Sequence, residues 1–280
     1  LLADSVDYVQ QRKQYGRQIG SYQAIKHRLA DVRIALDFAR PLVHGAALSG
    51  ADLAAVAEGT VATVAVPPHV PFALDADVAE KVYLSVEGGF ETVADASSST
   101  IGIRSVDTTR KLFDLLGGRA ASEASDQSRP LDHSDAFDHA VLACSAELLG
   151  CGERLLADSV DYVQQRKQYG RQIGSYQAIK HRLADIRIAL DFARPLVHGA
   201  ALSVATASTS ASRDVSAAKV AAGDAAYVAS RVALQVHGAI GYTAEFDLGL
   251  WINRVRALVG AWGGSTHHRS RIAESLTGSL

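Results

Sequence analysis

Apolar residues in the later part of the chain recur at three- and four-residue steps. Ile179, Leu183, Ile186, Leu190 and Phe192 or Ala193 fall on one face, with Lys180, Arg182, Asp185, Arg187 and Asp191 between them, the pattern of an amphipathic helix. Upstream, Leu155, Val160 and Val163 continue an earlier helix that starts near Asp135 and stops at the break Gly170 to Gly174. So short a break sets the two helices antiparallel. Pro195 removes a backbone donor inside the second pattern, so a kink or an end is expected near Arg194. Val215 to Val236, Phe246 to Ala261 and Thr266 to Leu276 carry three more helical patterns, and residues 135–280 therefore read as a helical bundle.

The middle of the chain has a different period. Gly59 to Val66, Lys81 to Val86, Phe90 to Val93 and Ile101 to Val106 are β-branched runs separated by Pro, Gly, Asp and Ser, which predicts strands. Pro67, Pro68 and Pro71 confine their surroundings to loops or edges. Residues 51–120 are expected to form a small antiparallel β-domain, followed by a linker at 121–134. The fold class that results is α+β, mainly α.

A duplication precedes these regions. Leu1 to Ser49 repeats Leu155 to Ser203 with Val32 in place of Ile186. Solenoids need at least about three units at a fixed period, so a repeat protein is excluded. Residues 1–50 should be an extra helical segment, since their propensities match those of the second copy. The second copy fills the groove built for it, so the first is expected to be loosely attached. The sequence has no methionine and begins at Leu1, which fits a fragment or a rearranged chain.

Composition narrows the function classes. Lys and Arg total 28 against 30 Asp and Glu, a net charge of −2, so no basic excess exists to drive nucleic-acid binding. At 48% hydrophobic the chain fills a core and is not globally disordered. No uninterrupted apolar run reaches the roughly 18 residues of a membrane span, and no secretory signal is visible. Cys144 and Cys151 lie about 10 Å apart along a predicted helix, too far for a disulfide, which fits a reducing, cytoplasmic compartment.

Three stretches carry candidate chemistry. The first is Tyr162 to Gly174, YVQQRKQYGRQIG, followed by SYQAIKHRLAD; the second is Leu234 to Thr243, LQVHGAIGYT; the third is Ala261 to Arg269, AWGGSTHHR. Arg166, Gln168 and Tyr169, closed by Gly170, present donors and a stacking face at a helix end, while Arg166 in isolation reads as a surface ion-pair residue. Gly238 and Gly241 permit close backbone approach to a ligand, or they cap a helix. His237 reads as a packed or capping histidine ahead of a general base. Adjacent His267 and His268 point in different directions along a helix, and no Cys, Asp or Glu stands at ligand spacing, so no metal site is expected. Asp158 and Ser159 lack a nucleophile-elbow context.

Together the three stretches resemble the C-terminal helical domain of the acyl-CoA dehydrogenases, flavoproteins with an α-domain, a middle β-domain and a four-helix C-terminal domain. The resemblance covers 135–280, and PHVPFALDADVAEKVYL looks like part of the β-domain. The first repeat stands where the family has its N-terminal α-domain. The resemblance implies FAD at a subunit interface, an acyl-CoA thioester as substrate, a homo- or hetero-oligomer, and an electron acceptor such as an electron-transfer flavoprotein. It assigns flavin contacts to Arg166, Gln168, Tyr169, Gln235, Gly238, Gly241, Ser265 and His267, with Ala239 where the family most often has a second glycine.

The family's reaction removes a proton α to a thioester, which requires a carboxylate base in an apolar pocket. The resemblance places that Glu at Gly263, next to Trp262. In members that carry the base on the first helix of this domain, its position falls near Ala140, half a turn from Asp138. No catalytic residue is therefore assigned, and Asp138 is the weak candidate. Two readings stay open: a subunit whose partner supplies the base, or a truncated member without flavin that serves as a helical interaction module. A self-sufficient dehydrogenase ranks third.

Overall fold

A computed structural model describes residues 13–14, 17–18, 60–86, 89–93, 100–115, 133–243 and 247–278. Five helices build the bundle: α1 His133–Gln165, α2 Gln177–Ala205, α3 Ala211–His237, α4 Leu248–Gly260 and α5 Ser265–Thr277. Helix α3 packs on each of the other four. Its sequence explains that position, because Ala218, Ala222, Ala225, Ala226, Ala229 and Ala233 are all buried, and so small a residue lets neighbours approach on several sides. Where α1 meets α2 and α3, a Cβ on Gly152 would stand 2.7 Å from Leu190 Cδ2 and 3.3 Å from Ala226 Cα. Gly152→Ala is therefore expected to destabilise the bundle by about 1–3 kcal/mol through overpacking, read as a lower midpoint in thermal unfolding.

Helix α2 buries Leu183, Ile186, Leu190, Ala193, Val197 and Ala200 along one face. It does not end near Arg194: it runs through Pro195 to Ala205. The proline's lost donor costs roughly 3 kcal/mol, and the apolar positions buried on both sides of it offset that loss. The opposite face stays open, with Phe192 73% and Leu202 66% exposed. Among the described residues α2 is the helix whose length and composition suffice to cross a membrane, yet ion pairs run along its flank, Arg187 to Asp191 (2.8 Å) and Arg194 to Glu153.

The break between α1 and α2 is a two-residue hairpin. Strands β9 Lys167–Gln168 and β10 Arg171–Gln172 pair antiparallel, and Tyr169 and Gly170 both have positive φ, 51° and 77°. Two positive φ values are what a type I′ turn requires. In the first repeat, β1 Lys13–Gln14 pairs antiparallel with β2 Arg17–Gln18 in the equivalent register. Those four residues are strand and not helix. The rest of the predicted N-terminal helical segment, its docking and most of the linker lie outside the described residues.

The β-region forms two three-stranded sheets. One has the order β3 (Ala62–Ala65), β5 (Lys81–Val86), β6 (Gly89–Thr92), and the other β4 (Ala73–Leu74), β8 (Leu112–Leu115), β7 (Thr100–Ile103). The expectation of an antiparallel domain is corrected at one place: β3 and β5 run parallel, Ala62 opposite Lys81. The chain leaves β3 through a tight turn in which Val66 and Val70 exchange backbone hydrogen bonds of 2.7 and 2.8 Å, visits the second sheet at β4, and returns in the original direction. Val64, Val70 and Tyr83 join the core of the bundle, while Ala65, Ala73, Ala76 and Val82 form a second, smaller core within the β-region. Arg254 of α4 adds an ionic tie, donating to Asp107 of the β-region and Glu147 of α1.

Candidate functional site

The predicted contact residues fall at two ends of α3. At its C-terminal end, Arg166 closes α1, its N–H donating to Tyr162 O and its carbonyl accepting from Ile173 N, both at 2.9 Å. Those bonds hold the hairpin upright, and Arg171 lies over the Tyr176 ring, 3.9 Å from its centroid. Arg166, Gln168 and Tyr169 consequently face outward, with Tyr169 93% exposed. Tyr162 stacks on His237 with centroids 4.3 Å apart, which joins the hairpin to the end of α3. His237 is buried, with Nδ1 2.8 Å from Ala233 O, and burial lowers its pKa. Its setting is that of a packed histidine.

Gln235, two residues before His237, is exposed, and its Oε1 accepts from Arg182 of α2. Gly238 caps α3 at φ 64°, and a Cβ there would meet nothing within 4 Å. Gly241 is different, since a Cβ would lie 3.2 Å from Leu234 and 3.3 Å from Leu248; its small size serves packing of the turn that leads to α4.

The other cluster surrounds Gly263. Trp262 is buried at φ 60° and Gly263 follows at φ 92°, two successive residues in the sparsely allowed left-handed region. His268 is buried and fixes this turn: Nε2 lies 2.9 Å from Trp262 O, and Nδ1 lies 3.2 Å from Ser216 Oγ. A carbonyl only accepts, so Nε2 carries the proton and Nδ1 accepts from the serine. Burial is the main cause that pushes this histidine down to about 4, and it stays neutral at pH 7.

Next to it, His267 meets His69 of the β3–β4 turn with ring centroids 4.1 Å apart, and both approach Phe137. Burial lowers the pKa of each histidine. His267 Nε2 is buried with no hydrogen-bond partner among the described residues. Asp138 is buried too, accepting from Ser212 Oγ and, at 2.7 Å, from Arg271. Both its oxygens are engaged in joining α1, α3 and α5. Ser265 opens α5 beside this group.

From Ser216 to Gln235 the chain climbs nineteen positions of α3, about 28 Å at 1.5 Å per residue. Arg166, Gln168, Tyr169, Gln235 and Gly238 thus gather at one end, Ser265 and His267 at the other. Residue patterns missed His69, whose partner His267 is remote in sequence, and the Arg271–Asp138 pair. Among the described residues no group of three His, Cys, Asp or Glu side chains is placed to hold a metal ion.

Residues 1–66 and 132–277 match the family "Acyl-CoA dehydrogenase, C-terminal domain". The chain belongs to the acyl-CoA dehydrogenase family. Both copies of the duplication fall inside the matched residues. The chain is 33% identical over 201 residues to "Acyl-CoA dehydrogenase IpdE2" of Mycolicibacterium smegmatis, covering 71% of this chain and 59% of that protein. It therefore spans little more than half of that relative's length. Butyryl-CoA dehydrogenase from Megasphaera elsdenii has the same fold, with TM-score 0.69 and 17% identity over 99% of this chain and 88% of that one. The ChsE4–ChsE5 complex from Mycobacterium tuberculosis has TM-score 0.62 and 23% identity over 79% of this chain and 64% of the matched one. Acyl-CoA dehydrogenase members are flavoproteins and oxidoreductases, and the helical bundle seen here is the C-terminal domain of that fold.

Proposed function

We propose that the chain is a cytoplasmic flavoprotein subunit for α,β-dehydrogenation of an acyl-CoA thioester, with the proton-abstracting base supplied by a partner subunit. The observation that carries this reading is Gly263: its φ of 92° and the 2.6 Å between its notional Cβ and His267 Cδ2 leave no room for a carboxylate side chain. A partner can supply one. The residues present fit FAD, since the α3 C-terminal end combines outward donors, an exposed aromatic face and an open glycine backbone. There Arg166 would pair with phosphate, Gln168 and Gln235 would hydrogen-bond, Tyr169 would stack, and Gly238 would admit the cofactor close to the backbone. When bound, the flavin supplies a two-electron acceptor, reoxidised by an acceptor such as an electron-transfer flavoprotein. Around Gly263 the chain's own groups exclude water, since Trp262, His268 and Phe137 pack the wall. His267 Nε2 is buried there with no hydrogen-bond partner among the described residues.

A visible absorption spectrum of the purified chain, alone and after co-expression with a Glu-bearing acyl-CoA dehydrogenase subunit, tests this. A flavin band that appears with the partner is expected, and Arg166→Ala should weaken flavin retention roughly 10- to 100-fold for loss of a charged hydrogen bond of about 1.5–3 kcal/mol. Colourless protein in both preparations overturns the reading. The second reading, a helical interaction module without flavin, is favoured by the open apolar face of α2.

A further inference from the structure

The tip of the β3–β4 turn touches the bundle through an imidazole. Pro67 and Pro68 are exposed there, whereas the His69 ring lies 5.3 Å from Phe137 of α1 and 4.1 Å from His267 of α5, centroid to centroid. Phe137 in turn meets Trp262 edge to face at 6.1 Å. His69 thus covers the ring that covers the Trp262–Gly263 turn, and the His69–His267 pair closes the contact on the α5 side.

That pair is built to be neutral. The ring of His267 has its Nε2 buried with no hydrogen-bond partner among the described residues. As a bare lone pair this atom is tolerated, but a proton placed on it would have no acceptor, and a buried donor left unmade is costly. The charged groups around the pair add to the penalty. Arg271 of α5 lies over the Phe137 ring, its guanidinium carbon 5.4 Å from the centroid, and also donates to Asp138 of α1 at 2.7 Å. Glu274 of α5 is the carboxylate whose charge favours a protonated His267, and it is exposed to screening water. His268 contributes no compensating acceptor, because both its nitrogens are engaged. Burial first, then the Arg271 charge, lowers the pKa of His69; burial, His69 and Arg271 in that order lower that of His267. Two imidazolium rings at this separation repel, while two neutral ones stack.

We propose that the His69–His267 contact is an acid-released latch: when the pair takes up protons, the β3–β4 turn parts from α5 and uncovers Phe137 and the Trp262–Gly263 turn behind it. The released state binds protons more readily than the latched one, because the latched pKa values are depressed. The latch is therefore held in full above the free imidazole value, near 6.5, and weakens as pH falls below it. Each proton taken up on release multiplies the released population by up to about tenfold per pH unit.

Proton NMR on the whole chain with ring-labelled histidine tests it, with His69→Gln and His267→Gln assigning the two rings among the ten histidines. A strong nuclear Overhauser contact between the two rings is expected at about pH 7.5, one unit above the free value, and its loss is expected at about pH 5.5, one unit below it. The contact between Tyr162 and His237, whose centroids are 4.3 Å apart at the far end of α3, should persist at both pH values. His69→Gln should raise the titration midpoint of His267, since it removes a like charge. Rings that stay in contact at pH 5.5, that titrate at the free value, or whose midpoints ignore each other's replacement overturn the proposal. Simultaneous loss of the Tyr162–His237 contact overturns it too, as that is general unfolding and not release of a latch. The inference needs no flavin: colourless chain with a pH-dependent ring contact leaves the latch standing and removes the flavin reading, whereas flavin-bearing chain without one removes the latch alone.

Discussion

Gly263→Glu is expected to lower stability by about 3 kcal/mol and to confer no dehydrogenation activity on the isolated chain. Two costs add. A non-glycine residue held at φ 92° stores roughly 1–3 kcal/mol of backbone strain, and its Cβ would lie 2.6 Å from His267 Cδ2 and 3.0 Å from His268 Nε2. Neither ring yields freely, because His267 is wedged against His69 and Phe137 and His268 is bonded at both nitrogens. At 2–4 °C per kcal/mol for a domain of this size, the thermal midpoint should fall by roughly 6–12 °C. Adding His267→Ala should recover part of that fall by removing the collision while leaving the backbone strain. If Gly263→Glu melts like wild type, the turn rearranges readily, and the steric account of the missing base is wrong.

Arg254→Met should cost more, about 3–5 kcal/mol, the range for removing one partner from a buried ion group. The guanidinium is 13% exposed and its carboxylates are more deeply placed, Asp107 at 1% and Glu147 at 9%. Burial on its own raises the Asp107 pKa, but hydrogen bonds from Thr109 and Arg254 together with the Arg254 charge outweigh it, and the carboxyl is held below its usual range. A depressed folded-state pKa contributes stability above the unfolded value, near 3.9, and loses it as pH falls through the folded value. The gap between wild type and Arg254→Met in urea unfolding should therefore be full at pH 7 and shrink below about pH 4. A gap that is unchanged down to pH 3 would show that alkyl packing, not charge, is what Arg254 contributes.

How much was legible in the sequence depended on how local the determining contacts are. The helices follow from a 3.6-residue rhythm written in contiguous residues, and the predicted start near Asp135 falls within two positions of His133. Strands β4 and β8 escaped because Ala73–Leu74 is too short to show a period and Leu112–Leu115 holds no β-branched residue; both exist by pairing across the chain, Ala73 opposite Phe113. The parallel pairing of β3 and β5 depends on a path through a second sheet that residue patterns do not encode. Among the candidate site residues, Arg166, Gln168 and Tyr169 stand in one run, so a single pattern names all three. His69 could not be paired with His267 from spacing.

The hairpin between α1 and α2 has a consequence for how this chain came to hold two copies of one stretch. Lys13–Gln14 and Arg17–Gln18 pair as Lys167–Gln168 and Arg171–Gln172 do, and the six residues KQYGRQ are the same in both copies. The turn is thus written within about six residues and travels with them. A gene segment of this kind can be copied to a new address and arrive with its shape already specified, whereas the groove that receives its helix has to be built by other parts of the chain. Such a segment is portable in evolution before it is useful.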